Sequence, residues 1–158
     1  MRSCTGAGMI TISAAKTTQD VEECLRIREE IFVGEQGVPL DMERDGLDGE
    51  ALHFIALADS QPVGTARVVL RDGGTSAKIG RVAVRRSNRG FGIGKRLIAA
   101  IEETPDLGHV RNFLLDAQSR ALQFYARLGY EAYGEEFMDA GIPHRHMKKR
   151  NGRSVAPD

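Results

Sequence analysis

One stretch limits this chain more than any other: Arg89-Gly90-Phe91-Gly92-Ile93-Gly94-Lys95. It follows a β-rich run, Ala77 to Val84, and opens a segment, Gly92 to Glu103, whose Ile93, Leu97, Ala100 and Ile101 share one helical face. Glycines at a strand-to-helix junction let the backbone turn tightly and come close to a ligand. The first free N–H groups and the positive end of the helix dipole then point at an anion, so a phosphate binder is expected. Two familiar phosphate loops fail on spacing. A P-loop needs glycine at 89 and Ser or Thr at 96, where this chain has Arg89 and Arg96. The dinucleotide fingerprint needs a third glycine at 95, which is Lys95, and a βαβ unit that the preceding strands do not supply.

The remaining periodicities give an element order. Met9 to Ser13 reads as a short strand, and Thr17 or Thr18 caps a helix that buries Val21, Cys24, Leu25, the stem of Arg28, Ile31 and Phe32 and ends near Gly34. Gly34 to Gly49 has no sustained period and reads as a long loop with room for one helical turn. Leu52 to Ala58, Val63 to Leu70 and Ala77 to Val84 form an antiparallel meander. After the glycine turn and its helix come a strand at Arg111 to Asp116 and a helix at Ser119 to Leu128 closed by Gly129. Two short strands follow, near Glu131 to Tyr133 and His144 to Lys149. The expectation is one α+β domain over residues 1–150 with a frayed tail at 151–158.

Composition excludes whole classes of function. With 41% hydrophobic residues the chain is too apolar for a disordered polyelectrolyte, and 158 residues bury enough surface to fold without a metal or disulfide staple. Two cysteines, Cys4 and Cys24, neither at metal-ligand spacing, fit a reduced cytoplasmic protein with no metal. No apolar run approaches the roughly 20 residues that span a bilayer. The 22 basic residues balance the 22 acids, so net charge favours neither nucleic acid nor a membrane surface. Charge is segregated, however. Lys78 to Arg96 holds seven basic residues and no acid, which suits an anion, whereas Glu29 to Glu50 holds eight acids against Arg44 alone, which suits a cation.

The pattern Arg89-x-x-Gly92-x-Gly94 on a strand-turn-helix after a meander, with Tyr125 in Ala121-Leu122-Gln123-Phe124-Tyr125-Ala126-Arg127-Leu128-Gly129-Tyr130, resembles the GCN5-related N-acetyltransferase (GNAT) superfamily. The element order is similar to that family's β-α-βββ-α-β-α-ββ arrangement. Arg28, Glu35-Gln36, His53, Arg67, Asp116-Ala117-Gln118 and Ile142-Pro143-His144 are similar to residues of its ElaA-like branch, while Gly34 departs from that pattern.

The resemblance implies a mixed, mostly antiparallel sheet splayed at a slot for acetyl-CoA. Pantetheine would pair with the backbone around Val82, Ala83 and Val84, and the pyrophosphate would accept N–H bonds from Arg89, Gly90, Gly92, Gly94 and Lys95, with Arg85, Arg86 or Arg96 near the outer phosphate. An amine would attack the thioester directly. Tyr125 resembles the family's proton donor to the departing thiolate, and a phenol keeps its proton at neutral pH. His53, His144 and Glu35 are candidates for the base, with a water chain as another route. The expected acceptor is a primary amine of a small molecule or protein, cationic and drawn by the acidic segment. A homodimer is compatible with this reading. A non-catalytic acyl-CoA sensor is the alternative. An RNA-binding tail built on Arg145, Lys148, Lys149, Arg150 and Arg153 lacks interleaved aromatics for base stacking.

Overall fold

The computed structural model describes residues 8–153; Cys4 and the far end of the expected tail lie outside them. The elements run β1 (Ile10–Ala14), α1 (Thr18–Arg28), α2 (Leu40–Glu43), β2 (Leu52–Ala58), β3 (Gln61–Arg71), β4 (Ser76–Val84), α3 (Ile93–Glu103), β5 (Asn112–Gln118), α4 (Leu122–Arg127), β6 (Glu131–Asp139) and β7 (Ile142–Arg150). The strands form one sheet in the order β1-β2-β3-β4-β5-β7-β6. β4 and β5 are parallel, whereas β1–β2, β5–β7 and β6–β7 are antiparallel, so the sheet is mixed as expected. No described helix is long and apolar enough to cross a membrane.

Contacts group into two compact units: the chain up to Arg67 with Arg81–Ile101, and Val68–Gly80 with the chain from Glu102 onward. In the first, Thr17 caps α1 by accepting the Asp20 N–H at 3.0 Å. The inner face of α1 buries Cys24 against Ala15 and Ile55, and Ile27 with Ile31 against Ala83. The helix does not stop at Arg28 but widens into a π-helical turn, Glu29–Glu35. At α-helical pitch residues five apart point about 140° away from each other; bonding from i to i+5 brings them nearly over one another. Glu30 and Glu35 therefore share a side.

Arg28 is fully buried, and the segment expected as an open loop is folded onto it. Its Nε donates to Glu43 at 2.8 Å, Nη1 to Asp48 at 2.7 Å and Nη2 to the Glu43 carbonyl at 3.3 Å. Glu43, at 1% exposure, also accepts from Arg44 and Arg81, each at 3.0 Å. Arg67 grips Asp45 through both terminal nitrogens, at 2.8 and 2.7 Å. The guanidinium beside Asp45 holds that carboxyl far below the usual range. Arg81 has a left-handed backbone (φ 52°), and its side chain reaches Glu43 and Asp45.

In the second unit, β5 inserts Phe113, Leu115 and Ala117 into a core with Leu107, Val110 and Met147. α4 ends as its sequence indicates: Gly129 (φ 99°) donates to Ala126 at 3.0 Å and Tyr130 N–H to Tyr125 at 3.1 Å, the paired bonds of a Schellman cap. The closing strands are far longer than expected. β6 and β7 form a hairpin through Ala140 and Gly141, both at positive φ (51° and 75°), as a two-residue turn of the primed type requires. Asn151 and Arg153, assigned to the tail, are anchored, Asn151 by donating to the Val110 carbonyl at 2.8 Å and Arg153 to those of Glu103 and Thr104 at 2.9 and 2.8 Å.

Removing one member of a buried ion pair strands the other charge and typically costs about 3–5 kcal/mol. Glu43→Leu is therefore expected to lower unfolding free energy by about that amount, read as a drop in the urea midpoint at constant slope.

Candidate active site

β4 leads into the glycine turn by way of a 3₁₀ turn, Arg86–Asn88, and α3 begins at Ile93. Gly90 and Gly92 take φ of 90° and 79°, a region that side chains with a Cβ rarely adopt. A Cβ on either would meet nothing within 4 Å, so backbone conformation, not crowding, selects glycine there, and the space above the turn is open. The first helical bond of α3 runs from Arg96 N–H to the Gly92 carbonyl at 3.1 Å, and the N–H groups ahead of it have no intrahelical acceptor. Gly64 beneath the turn is selected by crowding: a Cβ would lie 3.3 Å from the Ala83 carbonyl and from Ile93.

Arg89 departs from its expected role. Its backbone N–H donates to the Arg86 carbonyl at 3.3 Å, its Nε to the Val84 carbonyl at 2.8 Å, and its Nη2 to both Glu35 oxygens at 2.9 and 3.1 Å. The Arg89 side chain thus ties the end of β4 to the π turn, and the N–H groups open to an anion begin after it. Arg85 meets Glu30 at 3.1 Å, and Arg86 reaches Glu35 at 3.6 Å. The bonds from Arg89, and after them the charge of Arg86, hold the Glu35 carboxyl below its ordinary range, which makes it a weaker proton acceptor.

His53 is buried beside Asp48, which Arg28 and Arg67 hold. Its Nε2 lies 3.0 Å from the Asp48 carbonyl, which can only accept, so Nε2 carries the hydrogen and the lone pair sits on Nδ1. Nδ1 has no partner among the described residues, and neither does Arg67 Nε. Six of the eight acids between Glu29 and Glu50 are paired: Glu29, Glu30, Glu35, Glu43, Asp45 and Asp48 each contact an arginine. The charge blocks that suggested separate anion and cation sites largely neutralise each other.

Tyr125 lies in the second unit, 9% exposed, edge-on to Phe124 (centroids 4.9 Å apart) and Tyr130 (6.1 Å). Burial pushes its phenol up to about 12. His144 donates from Nδ1 to the Ile142 carbonyl at 2.7 Å and stacks on Phe137 at 5.8 Å. Val82, Ala83, Val84, Gly90, Gly92, Gly94 and Lys95 run consecutively along the end of β4, the turn and the first turn of α3.

A glycine turn at a strand end, open above and followed by a helix N-terminus, within a mixed sheet of this order, defines an acyltransferase class. Residues 13–151 match the acetyltransferase (GNAT) domain, and the chain belongs to that family. It is similar to the uncharacterized N-acetyltransferase YjcF of Bacillus subtilis, at 38% identity over 136 residues, covering 85% of this chain and 96% of that protein. Among solved structures it resembles Escherichia coli ElaA (26% identity, TM-score 0.76, covering 89% of this chain and 99% of that one). It also resembles an acyl-CoA N-acyltransferase from Pseudomonas aeruginosa (30% identity, TM-score 0.75, covering 89% and 98%).

Gly92→Val places a β-branched residue at φ 79° and closes the open face of the turn. Binding of an acyl-CoA at this turn is expected to vanish in calorimetric titration while circular dichroism reports an intact fold.

Proposed function

We propose that the protein transfers an acetyl group from acetyl-CoA to a primary amine by direct attack. The observation that carries this reading is the turn at Gly90 and Gly92, with its positive φ angles and open space above both glycines. Helix N–H groups and a dipole aimed at one point suit a pyrophosphate, and they act without a charged side chain. In this reading the N–H groups from Gly90 to Lys95 hold the pyrophosphate, and the backbone of Val82, Ala83 and Val84 pairs with pantetheine. The name of the Pseudomonas relative supports an acyl-CoA as donor. Amine nitrogen forms the new bond to the thioester carbonyl carbon, and sulfur leaves with the old bonding pair.

Tyr125 is the proposed proton donor to that sulfur. At about 12 its phenol stays protonated throughout the neutral range, while a thiol's conjugate base titrates near 8.5. Free transfer is therefore uphill, and the proton moves as the C–S bond breaks, when the departing sulfur is most basic. Tyr125→Phe keeps the ring and removes the proton. It is expected to lower kcat by about 10²- to 10⁴-fold with acetyl-CoA affinity unchanged, measured by free-thiol release and by titration.

The acceptor, cationic until it is deprotonated, finds an acidic segment that is mostly paired with arginine. Long-range steering by that segment, expected from charge counts alone, is correspondingly small. The specificity constant for the amine is expected to stay nearly flat between 0.1 and 1 M salt, where the Debye length shrinks from about 10 to 3 Å. A steep fall would restore the acids to a direct part in substrate capture.

A further inference from the structure

β5 and β7 pair so that Asp116 faces His146 directly. The His146 Nδ1 lies 2.6 Å from Asp116 Oδ1, and the other carboxylate oxygen accepts from Lys78 Nζ at 2.9 Å. Burial alone would raise the Asp116 carboxyl; the bond from His146 and the charge of Lys78 overcome it and hold the carboxyl below its usual range. The carboxylate thus stays ionised and accepts, which fixes the hydrogen of His146 on Nδ1 and leaves the Nε2 lone pair for a proton from elsewhere. Asp116 directly follows Leu115, which closes the parallel β4–β5 pairing opposite Ile79.

The imidazole is also held in its plane. Phe137 stacks on it at 4.4 Å and Tyr133 at 5.6 Å, with interplanar angles of 28° and 27°. An irregularity in β6 produces this arrangement. Tyr133 pairs with His146, and an unbroken ladder would put Glu135 opposite His144; instead Phe137 pairs with His144. Gly134 turns through φ 74°, and Arg145 Nη2 holds its carbonyl at 2.7 Å. A bulge that replaces a carboxylate with a ring against a histidine is a device for aiming a side chain. The His146 side chain remains 43% exposed.

We propose that Asp116 and His146 form the proton-accepting dyad of the transfer reaction: His146 Nε2 takes a proton from the acceptor's ammonium while Asp116 orients the ring and balances the imidazolium. The proposal rests on the amine-acetylation reading above. The acceptor nitrogen loses one proton to His146 and uses the freed pair to bond the thioester carbon. As the C–S bond breaks, sulfur leaves with its pair and takes a proton, and the nitrogen gives up its second. The products are an amide, a free thiol and one proton, which His146 returns to solvent. Charged and titratable groups around the ring are Asp116 on β5, Lys78 on β4 beyond it, Tyr133 on β6, and His144 and Lys148 along β7.

The full chain is assayed for thiol release from acetyl-CoA with spermidine, glucosamine and a lysine-bearing peptide. With any amine the wild type uses, His146→Ala is expected to lose about 10²- to 10⁴-fold in kcat/KM and the acid limb of its pH profile, with acetyl-CoA affinity and melting temperature kept. Imidazole added to the buffer should restore part of the rate, which it cannot do for a packing residue. Asp116→Asn should cost less, and the double variant no more than His146→Ala alone, because the two act as a unit. Wild-type rates in both single variants would overturn the dyad and leave the acetylation reading intact. If no amine is turned over, that reading fails, and the ¹⁵N spectrum of the imidazole decides the geometry. Hydrogen on Nδ1, lost in Asp116→Asn, supports the dyad's arrangement, and hydrogen on Nε2 in the wild type overturns it.

Discussion

The first unit is organised around a single buried charge. The Arg28 guanidinium has no exposure to solvent, and a cation removed from water must be met by anions and hydrogen-bond acceptors or not be there at all. Glu43 and Asp48 meet it, and both come from the stretch after the π turn. Once they are committed, the rest of that stretch is determined. Asp45 is carried to Arg67, and the Asp48 carbonyl fixes the tautomer of His53. Arg81 adopts a left-handed backbone in mid-strand; the ionic contacts of its side chain offset that strain of order 1–3 kcal/mol. A loop of polar residues, with no apolar stripe to pack, thereby acquires one conformation.

The same logic governs the turn. Its arginines do not wait as free charge: Arg85 and Arg89 are already bonded to Glu30 and Glu35, which the π turn sets on one side. What the turn itself offers an anion is backbone, namely the N–H groups after Arg89 and the dipole of α3, with the exposed Lys95 and Arg96 beside them. The backbone groups are fixed by the fold and do not collapse onto a counter-ion when the site is empty, as a flexible lysine or arginine would. Preorganised dipoles of this kind bind without reorganisation, so the acid–base pairs beside the turn act as a frame for the site.

What could be read from the sequence was local. The glycine turn, the Thr17 cap and the Schellman end at Gly129 are set by residues within a few positions of one another, and each appears where spacing puts it. The burial of Glu43 could not be read, because a glutamate in a glycine- and acid-rich loop looks solvated until the arginine 15 residues before it is seen to be enclosed. The π turn escaped too, since its consequence is a pair of contacts to residues more than 50 positions away. Charge blocks misled for a related reason: opposite blocks far apart in sequence are as apt to bind each other as to bind ligands. The length of the β6–β7 hairpin was hidden by its turn, where Ala140 occupies a left-handed position that Asn or Asp would have advertised.

The Asp116–His146 pair shows the limit most sharply. Thirty residues separate the two, and although Asp116 lies in the Asp116-Ala117-Gln118 stretch, nothing in that stretch points to His146. Three registers have to be known together: β5 against β7, which sets Asp116 opposite His146; β4 against β5, which brings Lys78 to the same carboxylate; and β6 against β7, where the bulge exchanges Glu135 for Phe137. A slip of one residue in any strand would turn its side chain to the opposite face and dissolve the arrangement. The glutamate that an unbroken β6 would deliver also matters electrostatically. A carboxylate opposite His144 would stand diagonally beside the His146 ring as a second acceptor, whereas the Phe137 phenyl ring stacks on both imidazoles without offering one. Among the described residues His146 thus keeps Asp116 as its ionic partner, which sets its tautomer, while Phe137 stacks on the ring, the two conditions a histidine needs if its other nitrogen is to exchange protons in a defined direction.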